Sequence, residues 1–173
     1  VLDPNPQPLE QVLARDVTTT TQAAAGPTTH FTYSVEGGTL GTLSALRLTI
    51  VADFLNNTGV DRTFTIDVLY GATTIFQAAQ VNTANAARRA IRVDVILGAN
   101  GATNAQIASG QVTVGGVNSA SGVAVVTAQD LTAVNNTIAE DSTTAKTLLM
   151  QVTLSATDAN LVFRTFTATL EVM

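Results

Sequence analysis

The sequence predicts an all-β chain folded as an antiparallel β-sandwich, with the strand order of a jelly roll preferred to an immunoglobulin-like one. Three observations carry this reading. From His30 onward, apolar residues recur at every second position; breaks rich in glycine and asparagine separate eight or nine such runs; hardly any stretch between them repeats at 3.6 residues. Antiparallel sheets with one buried face alternate in this way. No fixed-period repeat is visible, which excludes solenoids and propellers.

Two segments are expected: an arm over residues 1–29 and a sandwich domain over residues 30–173. In the arm, "LDPNPQP" alternates Pro4, Pro6 and Pro8 with polar residues, so it lacks amide donors and should lie extended. "PLEQVLARD" then reads as a short helix, with Pro8 at its first position and Leu9, Val12 and Leu13 on one face. So short a helix is unstable alone and needs a surface. Pro4, Pro6, Pro8, Leu9, Val12 and Leu13 are therefore candidate assembly contacts, docking on the chain's own sandwich or on a neighbour. "TTTTQAAAGPTT" reads as a tether.

In the body, "HFTYSVE" turns Phe31, Tyr33 and Val35 one way and His30 the other. "EGGTLGT" is a turn. "LRLTIVADF" aligns Leu46, Leu48, Ile50, Ala52 and Phe54. Phe64, Ile66, Val68 and Tyr70 alternate with Thr63, Thr65, Asp67 and Leu69, and "YGAT" turns the chain into "TTIFQAA". "AIRVDVIL" puts Ile91, Val93, Val95 and Leu97 on one side. "GANGATN" is a loop before "AQIASGQVTVGG", and "VAVVTA" follows as a further strand. Two long strands close the chain, carrying Leu148, Met150, Val152 and Leu154, then Val162, Phe166, Ala168, Leu170 and Val172.

Composition narrows the function classes. With 173 residues there is room for one domain with a real core. No run of about 18 apolar residues suggests a membrane span. The opening "VLDPNPQPLEQ" has acids and prolines where a leader has a basic and an apolar region, so no leader is expected in it. Zero cysteines exclude disulfides and thiolate chemistry. A net charge of −5 and a single lysine, Lys146, argue against a nucleic-acid partner. Charged residues make up only 12%, about half the usual ~25%. Either partners cover much of the surface, or a free β-domain carries a threonine-rich skin.

The candidate sites reduce to structural chemistry. "DFLNNTGVDRTF" begins with Asp53 but has Leu55 third, Gly59 seventh and Phe64 twelfth, which defeats an EF-hand. It reads as a turn, with Asn57 expected in a strained conformation. The triplets Asn56-Asn57-Thr58 and Asn135-Asn136-Thr137 read as turn and loop chemistry rather than glycan acceptors. His30, the single histidine, has no nucleophile elbow beside it and is expected on the outer surface. The acid pairs Asp53/Asp61 and Glu140/Asp141 would serve a glycosidase only across a cleft of the proper separation. "GANGATNA" lacks the ending of a phosphate loop. Arg88, Arg89 and Arg92 form the densest positive cluster; cross-strand ion pairing is the default reading, and an intersubunit salt bridge through Arg88 and Arg89 the functional one. No catalytic residue, metal or cofactor is expected.

"TLGTLSALRLTIVADFLNNTGVDRTFTIDVLYGATTIF" resembles a stretch of tailed-bacteriophage virion proteins: a T-L-G-T turn, a strand, an N-N-[ST]-G loop, R-[TS]-[FL]-T-[IL] and a Y-G-x-T-T hairpin. "ARRAIRVDVILGANGATNAQ" and "AEDSTTAKTLLMQVTLSATDANLVFRTFTATLEV" are similar to later segments of the same proteins. The resemblance covers most of residues 30–172. It implies a non-enzymatic β-sandwich or jelly-roll module on the particle surface, either a capsid cement or decoration protein or a tail or tail-fibre component. The implied partners are further copies of the chain, as a dimer or trimer, and the major capsid protein or another virion protein. The same fold also serves carbohydrate-binding modules in host recognition. That alternative wants exposed aromatic rings, and the chain has no Trp and only two Tyr.

Overall fold

The computed structural model describes residues 11–116 and 129–173. Among these, alternation at period two produces eleven strands and no helix: β1 (Gln11–Asp16), β2 (Thr20–Gln22), β3 (Gly26–Val35), β4 (Ala45–Asn56), β5 (Arg62–Tyr70), β6 (Thr73–Asn82), β7 (Asn85–Ala102), β8 (Ala105–Val114), β9 (Gln129–Ile138), β10 (Lys146–Leu154) and β11 (Leu161–Val172). They form two layers. The larger sheet runs β1-β11-β4-β7-β8-β9, with β2 also alongside β11; the smaller runs β3-β10-β5-β6.

The pairings are antiparallel and nested: β2 with β11, β3 with β10, β4 with β7, and β5 with β6. Successive pairs fall in alternate sheets, which is the wrapping of a jelly roll. The hairpin β8–β9 is added outside β7 and widens one layer. The core lies between the layers. Leu46, Leu48 and Ile50 of β4 and Ile91, Val93 and Val95 of β7 are buried, as are Phe64, Ile66 and Val68 of β5 and Leu148, Met150 and Val152 of β10. Phe54, Phe64 and Phe163 form a central ring cluster, with centroids 4.9, 5.5 and 6.4 Å apart. The alternation read from the sequence holds in β4, β5, β7 and β10.

It fails where a strand carries an extra residue. In β3, Met150 pairs with Phe31 and Gln151 with Thr29, so His30 is a bulge and both His30 and Phe31 turn inward. In β11, Thr165 pairs with Ala52 and Thr167 with Val51, leaving Phe166 as the extra residue. Upstream of it Leu161, Phe163 and Thr165 are buried; downstream Ala168 and Leu170 are. Phe166, expected in the core, is only half-buried, and Phe163 takes its place there.

The arm expected over residues 1–29 does not stand apart in its described portion. Val12 and Leu13 lie in strand β1, not in a helix, and β1 hydrogen-bonds to the edge of β11. A two-turn helix offers only a few internal bonds, whereas the β11 edge supplies a ready ladder. Leu13 and Ala14 pack on the core while Val12 is exposed. The expected tether is β2 and the first half of β3. Pro4, Pro6, Pro8 and Leu9, like the strand expected at "VAVVTA", lie outside the described residues.

Two loops are also corrected. "GANGATN" is largely strand, since β7 runs to Ala102 with an irregularity between Ala99 and Ala102. Asn135-Asn136-Thr137 lies within β9. Two residues there oppose Ile107, and the Asn135 amide donates to the Thr74 carbonyl of the other sheet (3.1 Å). The asparagine chemistry that suggested a loop serves a bulge in an edge strand.

Phe76 lies against the bare backbone of Gly110, and a Cβ there would enter its ring. Gly110→Ala is expected to destabilise the fold by about 1–3 kcal/mol through overpacking. Phe76→Leu in the same chain should return part of that loss. Chemical denaturation of the two variants checks this.

Candidate functional site

The outer face of the large sheet gathers most of the chain's described ion pairs. Asp53 of β4 points outward, between Arg88 of β7 and Arg164 of β11. Arg88 Nη1 donates to Asp53 Oδ1 at 2.8 Å, and Arg164 engages the same carboxylate through Nε (3.0 Å) and Nη2. The hydrogen bond to Asp53 raises the Arg164 pKa above its ordinary value. The Arg164 guanidinium also sits 5.2 Å from the centroid of Phe166, the ring that the bulge turns out of the core. Further along β7, Arg92 donates Nε to Asp94 Oδ2 at 2.6 Å and Nη2 to Oδ1 at 3.1 Å. Thr49 adds a hydroxyl at 3.0 Å, and Arg47 stands 4.0 Å away. Burial pushes Asp94 upward, but the Arg92 and Thr49 hydrogen bonds and the two guanidinium charges together hold it below the usual carboxylate range.

Between and beside these pairs the face exposes aliphatic side chains. Val51, Ile96, Ile107 and Val134 are 46%, 39%, 40% and 72% exposed. Ile96 and Val134 flank Ser109 in register across three strands. A groove of about 330 Å³ opens here, bordered by Arg47, Asp94, Ile96, Ser109, Gln111 and Val134. With Asp53 and Asp94 engaged by arginines, these aliphatic groups are exposed to meet a partner.

The arginine cluster expected from sequence is divided. Arg88 and Arg92 share the outer face, while Arg89 sits on the other side of β7 and reaches Thr83 Oγ1 at 3.1 Å. Arg164 and Arg47, far away in sequence, complete the constellation; only the strand pairing brings them there. The acid pairs are structural too. Glu140 accepts from the Ala72 amide (3.0 Å), the Thr73 hydroxyl (2.8 Å) and Lys146 (2.9 Å). The Lys146 hydrogen bond leads in holding its carboxyl below the ordinary value. Asp141 caps Thr143, and Asp61 lies in an exposed turn. Among the described residues no three His, Asp or Glu stand together to ligate a metal.

In the 56–61 turn, the positive φ falls on Gly59 (+82°), not Asn57. Asn56 holds the turn. It is buried, its amide donates to the carbonyls of Val60 (2.9 Å) and Asn82 (2.8 Å), and its Oδ1 accepts from the Thr58 hydroxyl (2.8 Å). Such an asparagine is no glycan acceptor.

His30, expected outside, is only 3% exposed. The Gln22 amide donates to the Ala24 and Gly26 carbonyls at 3.0 and 2.8 Å, so Gln22 Oε1 accepts from His30 Nε2 at 3.1 Å. Nδ1 then accepts the Thr165 hydroxyl at 2.9 Å, and the ring stands edge-on to Phe163 at 5.3 Å. Both nitrogens are engaged in a neutral ring joining β2, β3 and β11.

No protein-family model and no curated protein sequence matches the chain. Among solved structures it is similar to the Lotus tetragonolobus seed lectin, with a TM-score of 0.48 and 6% identity over 95% of this chain and 92% of that one. It is also similar to the CBM2 module of the evolved Dit of Lactobacillus casei BL23 phage J-1, with a TM-score of 0.39 and 6% identity over 81% of this chain and 67% of that one. A third likeness is to a chain of infectious bursal disease virus Gx strain, with a TM-score of 0.39 and 12% identity over 100% of this chain and 35% of that one. At these scores none carries a functional residue over to this chain.

Two outcomes follow from the buried polar groups. Burial lowers the His30 pKa from 6.5 to about 4, so the unfolded chain binds the extra proton first as pH falls. Stability should be full above pH 6.5 and decline between 6.5 and about 4, by about 3 kcal/mol in all. His30→Gln should flatten that window in a pH series of denaturation curves. Asn56→Ala should cost about 1–3 kcal/mol, against a few tenths for Asn57→Ala, in the same assay.

Proposed function

We propose that the chain is a non-enzymatic structural protein of a tailed-bacteriophage virion, a capsid cement or decoration module. Its partners would be copies of itself and the major capsid protein or another virion protein. The observation that carries this reading is the outer face of the large sheet, where Asp53 and Asp94 each hold two arginines in place and Val51, Ile96, Ile107 and Val134 stay exposed. A face of that kind can lie against a shell with both of these carboxylates already paired. The sequence resemblance supplies the kind of particle. Val12, on the exposed side of β1, remains available as a second contact.

The carbohydrate-binding alternative is less well supported. Six of the eight aromatic residues are buried, and Tyr33 and Phe166 are half-buried, with Phe166 already under a guanidinium. No flat ring is presented to a sugar.

The test is reconstitution. Particles stripped of the protein are mixed with wild type or with Ile96→Asp/Val134→Asp, and occupancy and particle heat resistance are measured. Wild type should bind in fixed proportion to the coat and raise heat resistance, and the double variant should lose at least tenfold in affinity. Equal binding of the two, or none by wild type, would overturn the proposal.

A further inference from the structure

We infer that the outer face of the four-stranded sheet is a self-association surface, on which a second copy of this chain packs back to back. This names one partner within the structural role proposed above, and rests on it.

The face differs from the rest of the molecule in charge. Of the residues that alternate outward along β3, β10, β5 and β6, Asp67 alone is charged, in a chain with 13 acids and 8 bases. Even that carboxylate is held by Gln77 Nε2 at 2.6 Å. Along the two central strands the outward pairs are Leu149 with Leu69, Gln151 with Asp67, and Thr153 with Thr65. Threonine, serine and glutamine make up most of the rest, and each can donate and accept. Such a face is complementary to itself, as a two-fold contact requires.

Three considerations select a second copy as the occupant. Each chain carries −5, so two copies repel least where they meet through a face with a single charge, and that one, Asp67, is already hydrogen-bonded by Gln77. The edges of this sheet are poorly suited to strand addition. β3 carries Pro27, which has no amide hydrogen, and the His30 bulge, while β6 lies against β9. Association therefore falls to the face. Four strands about 4.8 Å apart and about nine residues long cover about 570 Å² per copy, or about 1,100 Å² for the pair, enough for a specific contact.

Light scattering on the full chain at high micromolar concentration tests this. Wild type should have the mass of two 17.9 kDa chains. Leu149→Glu and Thr32→Glu should each halve that mass, and Ile96→Asp, on the opposite face, should leave it doubled. Thr32 is exposed, so its variant keeps the test valid if Leu149→Glu misfolds. A single-chain mass for wild type would overturn the inference. So would a two-chain mass that survives Thr32→Glu or is lost in Ile96→Asp. Particle binding is scored separately, and wild type that binds particles as a single chain would sink this inference alone.

Discussion

A strand in a sandwich has one side for the core, and a single inserted residue exchanges the two. The extra residues in β3 and β11, His30 and Phe166, are the points on which the rest of the structure depends. They lie close together across the two layers, since His30 bonds to Thr165, the residue before Phe166. The first insertion brings a histidine inward, where Gln22 and Thr165 satisfy it and bind β2 to the body. The second brings Phe163 into the core ring cluster and sends Phe166 out beneath Arg164. The buried polar node and the outer Asp53 clamp are thus consequences of the same local departures from regular pairing.

What was legible in the sequence was whatever depends on period alone. The faces of β4, β5, β7 and β10 follow from alternation, because these strands are regular along their buried stretches. Bulges leave no mark in composition: "TTHFTY" and "RTFTAT" read as unbroken alternation, and only the partner strand shows where a residue is left over. The β1 strand was hidden for a different reason. Leu9, Val12 and Leu13 fit a helical face locally, and the β11 edge that overrides this lies more than 150 positions further along the chain. The candidate site was half visible. Arg88 and Asp53 could be named, but Arg164 joins them only through the pairing of β11 with β4.

The two outer faces handle a small number of charges in opposite ways. On the large sheet, opposite charges sit in register neighbourhoods and bind one another, so the face is ordered before any partner arrives. On the small sheet they are almost absent. A third arrangement holds one end of the sandwich. Glu140 and Ser142 attach the β9–β10 connection to the β5–β6 turn through the Ala72 amide and to the β7–β8 turn through the Thr103 carbonyl, and Lys146 of β10 holds Glu140 in place. The added β8–β9 pair is thereby joined to the jelly roll at its open end as well as through Phe76 and Gly110.

The pairing of Gln11 with Val172 means that the first described strand starts beside the point where the last one ends. A pull applied between these two points acts across the β1–β11 ladder rather than along it. The rungs then bear the load one after another, beginning at Gln11, and β1 peels away at low force. Load entering through β11 alone and leaving through β4 or β7 would run parallel to the strands, and many bonds would resist it together. The molecule is therefore mechanically direction-dependent: weak between Gln11 and Val172, strong through the middle of its larger sheet.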